Sequence, residues 1–513
     1  MNLPGASPRR GSRERAFALS GLALLALAAE AQAVTLNPRG LGQVLIYPYY
    51  TVNAGFSTLL SVVNTTANGK ALKLRFHEGR NGRAVFGLNI YLSPFDVWVA
   101  QVYSSGDETS VAAIATNDNS CVVPAFLLPV DPGSGPPRAN FSNGSYSDVN
   151  ADGGPAGLER AREGYFDVLE MGEVTDAAQH TLTAITHDEN GVPASCTQLQ
   201  AAWSAPGGYW GQNAQTDLVP PTGGLYGAES IINVGEGLMY TINAIAIDGF
   251  SNAIQHTGPG DAAPDLNTAS KNANGSFSAF VAYGASLVQA DYAKSEDAIS
   301  ALLMADSMSN EYVVDPGIGA RSDWVLTAPT KRFYTDPALM PAGTVQARAP
   351  FDALFGSAFG GTSCGSVGNQ FWSREELTTT SGACFNGFCG QPPLPPALCY
   401  ATSLLTVGSP SSSLGSNLVI NGLTEIDLFY DSIFKDGWMR LDFTTDNFGS
   451  LQFDHVLTSL NGLKLPGLPA LGFAAIDFVN ANVTPGVLAN YSGAYAHRAH
   501  VTCVASATLG PCP

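Results

Sequence analysis

Between Gln43 and Tyr103 apolar and polar positions form four runs, QVLIYPYYTV, FSTLLSVVNT, ALKLRF and AVFGLNIYLSPFDVWVAQVY. In the third run Leu72, Leu74 and Phe76 interleave with Lys73, Arg75 and His77. In the fourth, Phe86, Leu88, Ile90 and Leu92 interleave with Gly87, Asn89, Tyr91 and Ser93. A period of two predicts strands with one face in a core and the other in water. Asn68-Gly69 and Asn81-Gly82 fall between runs, where residues tolerant of positive φ close tight hairpins. The stretch is expected to be an antiparallel β-module with His77, Glu78, Arg80 and Arg83 at a solvated rim.

Further strand-like runs follow at 121–128, 163–174, 230–250, 324–327, 418–420, 425–430, 438–443, 473–479 and 487–491, separated by Gly-, Pro- and Asn-rich loops at 131–157, 204–224 and 251–276. One helix is expected from Ser295, with Glu296 and Asp297 in its first turn and Ile299, Leu302 and Leu303 as its apolar stripe. A short helical turn is expected at Cys196 to Trp203. Composition shifts at 351–416, which holds half the cysteines, the QPPLPP run and a Ser-rich tract, as a disulfide-stapled insert and linker would. The expected plan is a signal peptide at 1–33, an immunoglobulin-like module at 34–110, a central β-rich region at 111–350, the insert and linker at 351–416, and a C-terminal β-region at 417–513. The fold class is all-β, mainly antiparallel β-sandwich, with few short helices and long loops.

The first 33 residues read as an address: Arg9, Arg10, Arg13 and Arg15, then an apolar run at 16–29, then Ala31-Gln32-Ala33 as a small-residue cleavage site. The twin arginines lack the hydrophobic residues that follow them in twin-arginine signals, which favours ordinary secretory export over that route and over an uncleaved anchor. Setting these residues aside removes four arginines and two glutamates, leaving 480 residues with a net charge of −21. So acidic a chain repels nucleic acid and anionic lipid. No later apolar run reaches membrane-spanning length. An outer-membrane barrel needs evenly spaced strands of about ten residues, and the spacing here is irregular. Eight cysteines, Cys121, Cys196, Cys364, Cys384, Cys389, Cys399, Cys503 and Cys512, behind an export signal point to disulfides. The local pairings favoured are Cys121 with Cys196, Cys503 with Cys512, and two bridges within 364–399.

The string TLLSVVNTTANGKALKLRFHEGRNGRAV at 58–85, followed by LNIYLSPFDVW at 88–98, resembles the immunoglobulin-like β-sandwich modules of exported bacterial proteins. With EGYFDVLEMGEV, SDWVLTAPTKRF and GLPALGFAAIDFVNANVTPGVLANY, the chain is similar to an uncharacterised family of exported proteobacterial proteins. That resemblance implies a compartment, periplasmic, cell-surface or extracellular, and brings no catalytic motif with it.

Three motifs invite chemistry. Asp148, Asn150, Asp152, Gly154 and Glu159 match the twelve-residue calcium loop, with oxygen ligands at positions 1, 3, 5 and 12 and a backbone carbonyl at 7. Pro155 at position 8 and the absence of a readable helix before Asp148 leave open a match by composition alone. Trp203, Tyr209 and Trp210, near Gln212 and Asn213, suit a sugar-stacking platform or, alternatively, a small satellite core. Gly361-Thr362-Ser363-Cys364-Gly365 has the nucleophile-elbow pattern without the strand and helix that elbow needs. His497 and His500, three apart in a strand, face opposite ways.

The function expected is an exported or cell-surface, non-catalytic binding or structural protein whose partner is a protein or glycan at the cell surface, with calcium as the candidate cofactor. The alternative is a secreted hydrolase or carbohydrate-binding protein with a site assembled from distant loops.

Overall fold

A computed structural model describes residues 32–106, 111–127, 137–204, 206–284, 286–356, 360–379, 396–408, 412–419, 425–426, 434–445, 455–479, 484 and 489–504. The expected leader lies outside these residues, apart from its last two positions. Among those described, no helix is long and apolar enough to cross a membrane.

The first four sequence runs do not pair in order. Val44–Thr51, Gly69–Glu78 and Ala84–Leu92 belong to a ten-stranded sheet, whereas Ser57–Asn64 and Val97–Ser104 belong to a six-stranded one. The chain therefore crosses between layers at Asn68-Gly69, and the hairpin expected there is instead a sheet-to-sheet connection. Asn81-Gly82 does sit at a hairpin tip, with Gly82 at φ 71°. The ten-stranded sheet places Glu163–Val174 between Val44–Thr51 and Gly69–Glu78, all antiparallel. The six-stranded sheet runs Leu238–Asn243, Leu225–Asn233, Ser57–Asn64, Val97–Ser104, Ala112–Ala115, Arg138–Asn140. Leu74, Phe76, Leu88 and Phe166 of the first sheet share a buried core with Val62, Trp98, Val102 and Leu225 of the second. This is the sandwich that the alternation predicts.

One expectation about its faces fails. All ten positions of Gly69–Glu78 and all twelve of Glu163–Val174 are buried, so Lys73, Arg75, His77 and Glu78 do not face water. The second face of the large sheet is roofed by the segments following 174 and 250. Lys73 Nζ donates to the Gly258 carbonyl at 2.6 Å, and Arg75 reaches the Asp261 carbonyl at 3.2 Å. The charges brought inside are paired: His77 with Asp167 at 2.9 Å, and Lys70 with Glu170 at 2.8 Å and Glu173 at 2.9 Å. Buried charges persist only with such partners. A β-bulge between Glu170 and Gly172 shifts the register, so that both carboxylates reach the same lysine.

Residues after 300 form two five-stranded sheets. One runs Thr378–Thr379, Gly368–Ser373, Asp436–Asp442, Ser307–Val313, Arg498–His500; the other runs Glu425–Ile426, Thr402–Val407, Ala320–Thr327, Leu471–Phe478, Tyr491–Ala496. Tyr312, Phe371, Met439 and Leu441 of the first meet Trp324, Leu405 and Ala474 of the second in one core. The expected helix forms at Ser295–Leu303 and contributes Ile299, Leu302 and Leu303 to that core. The Ser295 hydroxyl ties the helix start to the preceding loop, donating to the Leu266 carbonyl at 3.0 Å and accepting from the Ala269 amide at 2.9 Å. The short helix expected near Cys196 spans Cys196–Ala202.

Candidate functional site

The loop that carries the calcium pattern is wired to the hairpin tip. Asp148 and Asn150 lie in one exposed 3-10 turn, where the Asn150 carbonyl accepts from Arg83 Nη1 at 2.5 Å. Asp152 turns inward and accepts from Arg160 at 2.6 and 2.8 Å and from Asn81 Nδ2 at 2.9 Å. Gly154 donates its amide to Asp152 Oδ1 at 3.1 Å, and Glu159 is exposed. Arg160 also forks onto Glu78 at 2.8 and 2.9 Å and lies over the Tyr146 ring at 4.3 Å. Burial pushes the Asp152 carboxyl up, but the hydrogen bonds and charge of Arg160 hold it below the usual range. The positive charge against Asp152 is the Arg160 guanidinium. Among the described residues no group of three or more His, Cys, Asp or Glu side chains is placed to hold a metal ion.

Trp203, Tyr209 and Trp210 do come together, over the roofed face of the large sheet. Trp210 is 1% exposed, stacks on Tyr91 with ring centroids 5.0 Å apart, and donates from Nε1 to the Thr216 carbonyl at 2.9 Å. Trp203 lies 5.6 Å from Trp210 and donates to the Tyr91 hydroxyl at 3.3 Å. His256 closes the cluster, taking the Tyr91 hydroxyl on Nε2 at 2.9 Å and donating from Nδ1 to the Ala214 carbonyl at 2.6 Å. Burial pushes the His256 imidazole down to about 4. These rings bury one another in a satellite core. Only half-buried Tyr209 reaches an open depression, of about 510 Å³, alongside Gln179 and Gln198.

Cys121 bridges Cys196, and Cys364 bridges Cys399. The first pairing is the one expected, and the second lies within the expected group. Cys503 is also disulfide-bonded, while Cys384, Cys389 and Cys512 lie outside the described residues.

The nucleophile-elbow pattern lands beside the Cys364–Cys399 bridge. Ser363 Oγ donates to the Ala353 carbonyl at 2.5 Å rather than to a base, and Gly365–Ser366 continues as a strand where an elbow needs a helix. Gly361 abuts the calcium-like loop: a Cβ there would lie 2.5 Å from the Gly154 Cα. Close backbone approach thus accounts for glycine at 361, whereas a Cβ on Gly154 would meet the Arg160 guanidinium at 2.8 Å. Below lies an enclosed cavity of about 20 Å³, lined in part by Lys331, Asp352, Ser363 and His455. That is room for about one water. Lys331 Nζ donates to the carbonyls of Ser363 at 2.6 Å and Leu398 at 2.9 Å, and His455 Nε2 meets Asp352 at 2.8 Å. Burial pushes the Lys331 amine down to about 7, against the upward pull of Asp352. This centre locks the insert onto the body of the molecule. His497 and His500 separate as expected, His497 packing on Trp324 at 4.6 Å and His500 meeting Asp306 at 2.9 Å.

Two surfaces remain open. On the six-stranded sheet, the outward positions of Leu238–Asn243, Leu225–Asn233, Ser57–Asn64 and Val97–Ser104 hold no Asp, Glu, Lys or Arg. Val97, Val99, Tyr226 and Met239 are 45%, 46%, 46% and 53% exposed there. On the outer face of the Asp436–Asp442 sheet, Trp438 is exposed and stacks on half-buried Trp372. The strand pattern could have flagged Trp438, since Met439 and Leu441 turn inward and leave it outside. Its partner lies 66 residues away in the sequence and gives no local signal.

Comparison with protein-family models, with curated proteins and with solved structures found no match.

Proposed function

We propose that this is an exported, non-catalytic binding protein that acts through the surfaces of a rigid, disulfide-braced β-scaffold. The observation that carries this reading is the outer face of the six-stranded sheet. Four adjacent strands present apolar and uncharged polar side chains and no charge, in a chain of net charge −19. A flat, apolar, exposed sheet face is costly in water and marks an interaction surface. Its occupant is an uncharged protein surface at the cell envelope, where like charges on two acidic molecules are kept apart. The buried titratable groups support a structural role, since Arg160, Lys331 and His256 sit in closed hydrogen-bonded networks that join distant segments.

The test uses the mature protein against envelope fractions of its native host, with crosslinking to identify contacts. Wild type is expected to bind a saturable protein component, and the Val99→Glu, Met239→Glu double variant to lose that binding with an unchanged circular dichroism spectrum. Equal binding by both proteins, or binding by neither, overturns the proposal.

A further inference from the structure

The exposed tryptophan pair of the second half is a different surface with a different chemistry. Trp372 and Trp438 are direct partners on the adjacent antiparallel strands Gly368–Ser373 and Asp436–Asp442. Their indoles stack with centroids 3.8 Å and planes 4° apart. Phe371, Met439 and Leu441 occupy the inward positions, so strand alternation fixes both indoles on the outer face, with Trp438 40% exposed.

Register places polar groups around this plate. Thr378 pairs with Trp372 on one side and Glu311 with Trp438 on the other. One step along the same face come Gln370, Arg440 and Ser309. Gln370 Nε2 donates to the Thr378 hydroxyl at 3.2 Å, and Arg440 lies 3.6 Å from Asp442. Stacked face to face, each indole covers one π-face of the other, so the pair offers its edges and its two outer π-faces, bordered by an amide, a carboxylate, a guanidinium and hydroxyls.

Sheet stability alone does not explain the arrangement. Cross-strand aromatic pairs add only modestly to sheet stability beyond the area they bury, and smaller rings supply much of that without leaving indole in water. What indole offers at a surface is a broad π-face with affinity for polarised C–H bonds. The geometry points to a carbohydrate site at Trp372 and Trp438, in which the C–H face of a pyranose ring lies on the open indole and its equatorial hydroxyls meet Gln370, Glu311 and Arg440. Glu311 and Asp442 outnumber Arg440 at this border, which disfavours an anionic glycan and selects a neutral one. A nucleic acid would meet the repulsion of an acidic chain, and a peptide helix needs a groove that this flat face lacks. The site is separate from the uncharged face of the six-stranded sheet and does not depend on the function proposed for it.

The test is affinity electrophoresis of the full mature chain through gels cast with soluble neutral polysaccharides: a β-1,4-glucan, a xylan, a mannan and an α-glucan. Intrinsic fluorescence titration with the matching hexasaccharides gives affinities. At least one polysaccharide is expected to retard wild type. Trp438→Ala is expected to bind it about tenfold more weakly or worse, Trp438→Phe to fall between, and Gln370→Ala to weaken binding with the stack intact. The Val99→Glu, Met239→Glu variant is expected to bind as wild type does, which separates this site from the other surface. Loss of the exciton signal of the stacked indoles in circular dichroism confirms that the pair has been broken in Trp438→Ala. Should that variant fail to fold, Trp438→Phe and Gln370→Ala carry the test. The inference is overturned if no polysaccharide retards wild type, or if the folded Trp and Gln variants bind as wild type does.

Discussion

Two groups of tryptophans show how differently loops and strands treat the same side chain. Trp203 closes the Cys196–Ala202 helix and Trp210 lies in the one-turn helix Tyr209–Gln212, in a Gly-rich, irregular stretch with amide neighbours where a ligand platform is readily imagined, and both are folded onto Tyr91. Trp372 and Trp438 sit in strands that look like ordinary sheet, and they stay on its outer face, Trp438 exposed and Trp372 half-buried. A loop has the freedom to turn its aromatics inward wherever a sheet face needs covering. A strand whose neighbours at alternate positions fill a core has no such freedom, and its remaining side chains must face outward. In the calcium-like loop only Asp152 behaves as the first group does, turning inward onto Arg160, while Asp148, Asn150 and Glu159 stay exposed.

The comparison breaks most visibly at Arg160. Arg160→Ala strips the counter-charge from buried Glu78 and leaves Asp152 only Arg83, 3.6 Å away, and an expected loss of about 5 kcal/mol follows from leaving a buried carboxylate unpaired. Equilibrium denaturation measures it, and repeating the measurement with calcium is expected to restore none of it. Trp210→Ala is expected next, at about 4 kcal/mol, because a fully packed ring leaves a cavity under the roof of the large sheet. A loss below about 1 kcal/mol would place Trp210 with the exposed pair.

His256 sharpens the same contrast through pH. Its imidazole is neutral in the fold down to about pH 4, whereas the unfolded chain takes up the proton near pH 6.5. Between those values the unfolded state binds more protons, so stability is whole above about pH 6.5 and falls with pH, by about 3 kcal/mol at pH 4. His256→Gln should flatten the difference between denaturation midpoints at pH 7 and pH 4.5. A slope unchanged by the substitution would show the histidine to be solvated. Smallest is Trp438→Ala, expected to cost about 1 kcal/mol from loss of the cross-strand stack, readable as a small shift of the thermal midpoint. A loss as large as that of Trp210→Ala would make the exposed pair a second core.

Alternation in ALKLRF and in the run from Ala84 to Leu92 was enough to foresee strands, and the stripe after Ser295 enough to foresee a helix. The Cys121–Cys196 bridge was also legible. The burial of Lys73, Arg75 and His77 was not, because alternation reports that a strand has two faces and is silent on what covers the second. The calcium-like and elbow patterns are silent on tertiary partners for a related reason. Asp152 and Gly154 answer to Arg160 and to Gly361, contacts that a linear motif does not contain.

Sequence alone determined that the chain is built of pleated layers braced by disulfides, since period-two patterning and paired cysteines act over a few residues or through one covalent bond. Only the tertiary structure decided which polar groups are consumed inside and which aromatics stay outside. That division depends on which strands become neighbours, as with Gln370 and Arg440 or Gly164 and Glu78. It is settled by burial free energy summed over surfaces that meet only after the chain has folded.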